Sequence, residues 1–209
     1  TIVKIVPRKS IIERQSISKF GKKQTIATNV DFAFVMQDIT HDFNLNRLDR
    51  FLNICYSSKV KPIIILSKID LIESKILDYH IKNIKNRFNN VIVLKLSNKS
   101  LEGFKQIKMQ IKFGKTYCFI GTSGAGKSSL INNLIGKQVM LTKSLREKNK
   151  KGQHTTSHRE IFILENSGIL IDTPGMRELG ITESFISLKS TFKKIFTIAQ
   201  DCKFSDCKH

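Results

Sequence analysis

The sequence predicts an α/β fold: a mostly parallel sheet with helices on both faces. Three observations carry that expectation. From Asn29 onward, apolar runs of strand length alternate with stretches whose apolar residues recur at helical spacing. Strands joined through helices make right-handed crossovers and hence parallel pairs. Three polar motifs, "SKID", "SNKSLEG" and "GTSGAGKSS", each follow an apolar strand directly, which gathers them on the carboxyl rim of such a sheet. At 209 residues with 40% hydrophobic, the chain is long enough for one sizeable core.

Residues 1–28 pair short β-like runs, "TIVKIVP" and "QTIATN", with a basic polar stretch, and read as the end of a small β module and a linker. The main domain is expected over 29–198. In it "VDFAFVMQ" (30–37), "VKPIIIL" (60–66), "VIVLKL" (91–96) and "TYCFIG" (116–121) read as strands. Residues 46–57, 73–88, 101–111 and 127 to about 134 read as helices. A polar basic segment follows, with Lys143, Arg146, Lys148, Lys150 and Lys151; strand character resumes at "IFIL" and "GILIDTPG", and 183–199 is an amphipathic helix. No run reaches the eighteen or so apolar residues of a membrane span, and "TIVKIVPRKS" is not a signal peptide, so a cytoplasmic protein without a membrane partner is expected.

"GTSGAGKS" (121–128) satisfies G-x-x-x-x-G-K-[ST] between a strand and a helix. Backbone N–H groups of Gly121, Thr122, Ser123, Gly124, Ala125 and Gly126 would turn toward phosphates, with Ser129 continuing the helix start. Lys127 would reach the β- and γ-phosphates, and Ser128 would offer its hydroxyl to Mg²⁺. "DTPG" (172–175) ends a hydrophobic strand, so Asp172 would hold Mg²⁺ through water and the Gly175 N–H would meet the γ-phosphate.

"SKID" (67–70) resembles the [NTS]-K-x-D element that reads guanine. A carboxylate at Asp70 can accept from N1 and N2 of guanine, a donor pair that adenine lacks. Lys68 would lay its stem over the base, and the Ser67 hydroxyl would tie the base loop to the phosphate loop. The bland reading of the same residues is a helix N-cap on a charged turn. "LSNKSLEG" places Ser97 and Asn98 where a second base-binding element stands, with Asn98 in place of the usual Ala.

The order of motifs is base element, second base element, phosphate loop, Thr loop, DxxG: the ordinary GTPase order, cut and rejoined, as in a circularly permuted GTPase. With "PRKS", "NVD", "FNLNRLDRFL", "SKIDL", "GTSGAGKSSLIN", "GQHTTSHRE", "DTPGMRELG" and "CKFSDCKH", the chain resembles the ribosome small-subunit-dependent GTPase A family of bacteria. That resemblance implies a GTP-hydrolysing factor in late maturation of the small ribosomal subunit, stimulated by that subunit and contacting its rRNA. It also implies an N-terminal OB-fold, of which 1–28 could be the last part, and a C-terminal zinc domain beginning at 199–209. Cys202, Cys207 and His209 match three of the family's zinc ligands; the fourth, a Cys a few residues on, does not appear in these residues, so reduced metal-free thiols are an equal reading.

Where Ras-like enzymes carry a water-orienting Gln, this chain has Met176. His154 in "GQHTTS" is the candidate for that task, a solvated loop histidine the alternative, and Thr156 (or else Thr155) would complete the Mg²⁺ shell. The formal charge of +19, from 36 Lys+Arg against 17 Asp+Glu, suits a polyanionic partner better than it suits mere solvation. The expected partners are GTP/GDP and the small subunit's rRNA, with the chain acting as a monomer. A nucleotide-gated RNA-binding module, or a permuted GTPase with another RNA target, is the alternative.

Overall fold

The computed structural model describes residues 2–5, 7–15, 23–40, 43–139, 160–165 and 167–172. Two strands, β1 (Ile11–Gln15) and β2 (Lys23–Thr28), form an antiparallel ribbon with a register shift between Ile12 and Glu13. The remaining strands are β3 (Phe32–Asp38), β4 (Lys61–Ser67), β5 (Ile92–Leu96), β6 (Thr116–Gly121), β7 (Glu160–Ile163) and β8 (Ile169–Asp172). They make a six-stranded sheet in the order β5-β4-β3-β6-β8-β7, parallel except that β7 runs antiparallel to β8.

The helices divide the sheet's two faces between them. Helix α1 (Leu45–Ser57) and α2 (Ser74–Arg87) contribute Leu48, Phe51, Leu52, Leu77 and Ile84 to a core with Ala33, Val35, Ile64, Leu66, Cys118 and Ile120. Helix α3 (Phe104–Gln110) and α4 (Lys127–Ile135) cover the alternate strand residues Phe34, Met36, Ile63, Ile65, Tyr117 and Phe119. Successive strand residues point to opposite faces, so the central strands are apolar at nearly every position. Phe32 and Phe34 stack on Tyr117, and the Tyr117 hydroxyl donates to Gln110 O at 2.7 Å, which closes α3 onto the sheet.

Among the described residues, boundaries expected from the sequence hold within a few residues, the largest shift being α3, which begins at Phe104 instead of 101; the helix expected over 183–199 lies outside them. Within residues 1–28 one strand falls elsewhere than expected. The described part of "TIVKIVP" carries no strand, whereas β1 lies in the basic polar stretch that follows it. Its Ile12, with Ile26 and Ala27 of β2, is buried in the same core as α1 and α2, so burial outweighs the polar composition around it. The ribbon is fastened at the amino end of the sheet: Ser10 Oγ donates to Val30 O at 2.7 Å, and Lys9 Nζ meets Asp31 Oδ1 at 2.9 Å.

Candidate nucleotide site

The five parallel strands end on one rim, so topology alone gathers Asp38, Ser67, Leu96, Gly121 and Asp172 there. Register sharpens this: Asp38 lies opposite Ser67, Ser67 opposite Leu96, and Met36 opposite Gly121.

The phosphate loop connects β6 to α4. Gly121 comes so close to β3 that a Cβ there would stand 2.2 Å from Met36 O. Gly126, at φ +87°, caps α4, and its carbonyl accepts from Leu130 N at 3.0 Å. Lys127 Nζ folds back over the loop and donates to Gly121 O at 2.7 Å and Thr122 O at 2.6 Å. That pose holds a cation at the loop's mouth beside the α4 N-terminus, which is the electrostatic setting an anion requires. The Thr122 hydroxyl oxygen is buried without a hydrogen-bond partner among the described residues. Ser123 and Gly124 are exposed, Ala125 is buried beneath the loop, and Ser128 and Ser129 are half-buried on the first turn of α4.

The base loops lie on the neighbouring strands. Lys68 adopts a left-handed conformation (φ 62°), from which the chain enters a short 3₁₀ turn, Ile69–Leu71, carrying the exposed Asp70. Lys68 Nζ meets Asp38 Oδ2 at 2.5 Å, while Asp38 Oδ1 accepts from Thr40 N at 2.9 Å and Thr40 Oγ1 at 2.6 Å. Burial pushes the Asp38 carboxyl up, but the hydrogen bonds from Lys68 and Thr40 outweigh it and hold the group below its ordinary range. Asp38 was missing from the expected site. Its signal was available: it ends β3 between the two motif-bearing strands, where an acidic residue faces the rim.

The link between base loop and phosphate loop differs from expectation. The Ser67 hydroxyl donates to Gln37 O at 3.3 Å, within the sheet, and not to the phosphate loop. Ser67 sits at the buried end of β4, where the adjacent strand carbonyl is its nearest acceptor. The bridge is made by Asn98, whose Nδ2 donates to Gly126 O at 3.1 Å and whose Oδ1 accepts from Asn133 Nδ2 at 3.4 Å. Ser97 shapes that loop, its buried Oγ accepting from Lys99 N at 3.3 Å and Ser100 N at 3.1 Å. A cavity of about 590 Å³ lies between this loop and α4; its lining includes Asn98 and Ser129 but neither Asp70 nor Lys127.

Asp172 closes β8, which pairs with β6 through Cys118 and Ile171, so the acid stands beside the strand that carries the phosphate loop. His154, Thr156, Gly175, Cys202, Cys207 and His209 lie outside the described residues. Among the described residues no group of three or more His, Cys, Asp or Glu side chains stands together, and no helix is long and apolar enough to cross a membrane.

Known proteins are similar to this chain in sequence and in fold. A relative named small ribosomal subunit biogenesis GTPase RsgA 1, from Listeria monocytogenes, is 40% identical over 208 residues, which is 100% of this chain and 59% of the relative. The chain therefore spans about three fifths of that relative's length. The crystal structure of YjeQ from Thermotoga maritima superposes with a TM-score of 0.67 at 23% identity, covering 99% of this chain and 66% of that one. YloQ, described as a circularly permuted GTPase, gives a TM-score of 0.59 at 25% identity over 98% of this chain and 70% of its own. The family model for the RsgA GTPase matches residues 5–182. The chain belongs to the RsgA GTPase family.

Proposed function

We propose that this chain binds and hydrolyses GTP and serves maturation of the small ribosomal subunit, as the names of its relatives say of them. The observation that carries the nucleotide reading is the convergence of "SKID", "SNKSLEG" and the phosphate loop on one sheet rim, with Asn98 of the second motif bonded to Gly126 of the loop, although both motifs precede the loop in the chain. A strand-end motif keeps its place whichever way the connections run, which is how a permuted order preserves the site.

Lys127, already aimed into the loop, would leave its two carbonyls for the β- and γ-phosphates. The Thr122 hydroxyl, now without a partner, is a ready donor on the same side. Asp70 would accept from N1 and N2 of guanine, with Lys68, held by Asp38, flanking the base. Ser128 and Asp172, with Thr156, would hold Mg²⁺; so few protein oxygens suit this ion, which keeps waters and takes phosphate oxygens for the remainder. Mg²⁺ supplies charge neutralisation on the transferring phosphoryl group. Gly175 would donate to the γ-phosphate. His154 would orient the attacking water, since Met176 has no polar group for it.

The +19 charge supports an rRNA partner. An OB-fold remnant in the ribbon, a zinc element at Cys202, Cys207 and His209, a monomeric state and a cytoplasmic location belong to the same proposal. GTP turnover with and without purified small subunits tests it: stimulation is expected, weakening as salt rises. His154→Ala should keep GTP binding and lose about a hundredfold or more of the stimulated rate, the low end of the usual general-base range being about 10². Undiminished stimulated turnover removes His154. Asp70→Asn should shift preference from GTP toward xanthosine triphosphate, and unchanged preference removes Asp70 from base recognition.

A further inference from the structure

At the end of the sheet away from the nucleotide rim, β3, β4 and β5 begin side by side with Phe32, Lys61 and Ile92. A hollow of about 390 Å³ opens there, lined by these three with Tyr56, Lys59 and Asn90 among others, and by no carboxylate among the described residues. It is floored by apolar groups, yet Tyr56 remains 50% exposed and Ile92 46%. Phe32 and Ile63 of this hollow belong to the α3–α4 face, whereas the ribbon's Ile12 and Ile26 pack on the other face.

The turn that presents the cation is unusual. Helix α1 ends with Lys59 N donating to Tyr56 O at 3.0 Å and Val60 N to Cys55 O at 2.8 Å, the paired bonds of a Schellman turn. The residue that must turn left-handed there is normally glycine, but here it is Lys59, at φ 59°. A side chain kept where the backbone disfavours one points to a use for that side chain. Beside it Lys61 is exposed, and farther along the same end Lys115 and Lys9 flank Asp31, leaving the edge basic.

We propose that this hollow is a single-stranded RNA site: an unpaired base stacks against Tyr56 over the floor of Phe32 and Ile92, with Lys59 and Lys61 on the flanking phosphates. The chemistry matches the way single strands are held, by an aromatic platform inside a basic groove. Asn90, exposed at the rim, offers an amide to a base edge. The inference rests on the proposed RNA partner but assigns a surface far from the nucleotide, so the two fail independently.

The test uses this chain with fluorescence anisotropy of a labelled oligouridine and of a blunt RNA duplex. Tyr56→Ala should weaken oligouridine binding about five- to a hundredfold and leave the duplex unchanged, while Tyr56→Phe stays near wild type. Lys59→Gly should lower the salt slope of binding by about one phosphate contact without lowering the melting temperature, because glycine fits the turn. Oligouridine binding unchanged in both Tyr56→Ala and Lys59→Gly overturns the site. Unchanged oligouridine binding with lost association to whole small subunits assigns the hollow to a protein component and overturns it equally. GTP binding is expected to stay at the wild-type level in every variant; loss of GTP binding in the unmodified chain would count against the nucleotide reading alone.

Discussion

Asn98 donates to Gly126 O and accepts from Asn133, so one side chain joins the second base loop, the phosphate loop and α4. Gly126 has room for no more: a Cβ would stand 2.6 Å from Asn98 Nδ2. A base loop that drifts from the phosphate loop cannot hold base and triphosphate at once, so this bond should tell on affinity. Losing one such neutral bond costs about 1 kcal/mol, so Asn98→Ala should raise the Kd for GTP about three- to tenfold by titration with a fluorescent analogue. Ser67→Ala should leave that Kd within about twofold, because its bond stays inside the sheet, and should instead lower folding stability by about 1 kcal/mol. Equal effects of the two on affinity would mean that Ser67 shares the bridge. In the sequence Asn98 is only a departure from the usual Ala; a partner twenty-eight residues away, visible only in three dimensions, gives it its structural role.

At the scale of elements, two aspartates fasten opposite ends of β3. Asp31 accepts from Thr116 N at 3.0 Å and from Lys9, joining β3, β6 and the ribbon; Asp38 holds the base loop through Lys68. Burial raises the Asp31 carboxyl, but the Thr116 N–H, then Lys9 and Lys115, lower it further, so its folded value lies below the ordinary one. A carboxylate depressed on folding contributes stability above its unfolded pKa, near 3.9, and loses that contribution as pH falls through the folded value. Asp31→Asn should therefore lower the urea midpoint at neutral pH, and the difference from wild type should shrink below about pH 4. A gap that persists to lower pH would show that the carboxylate charge is not its source. Asp49 runs the other way: burial raises its carboxyl despite the Arg87 guanidinium, so its pairing of α1 with α2 serves orientation more than stability at neutral pH.

At the scale of the whole molecule, two cores sandwich a sheet whose carboxyl rim carries the candidate nucleotide site and whose amino end carries the ribbon and the Tyr56 hollow. The cores shield Cys55 and Cys118 completely, and burial raises the Cys118 thiol to about 12 and the Cys55 thiol well above its usual value. The reactive thiolate is then almost absent at neutral pH. Neither thiol should react with a disulfide reagent in the native chain, and both should react in denaturant; rapid native labelling of either, read by mass spectrometry, would show that the core opens.

The sequence by itself determined the alternation of strands and helices, the placing of three motifs at strand ends, and the position of the phosphate-loop pattern between a strand and a helix. These are written in periodicity and in short spacings, where neighbours along the chain are neighbours in space. It did not determine that a polar stretch holds β1, that Ser67 turns into the sheet, or that Asp38 and Asn98 organise the base loops. Each of those depends on which strand lies beside which, and register between distant segments is decided by packing two cores against a single sheet. Only the tertiary structure could settle them, because a hydrogen bond goes to the nearest acceptor in space and not to the one a motif leads us to expect.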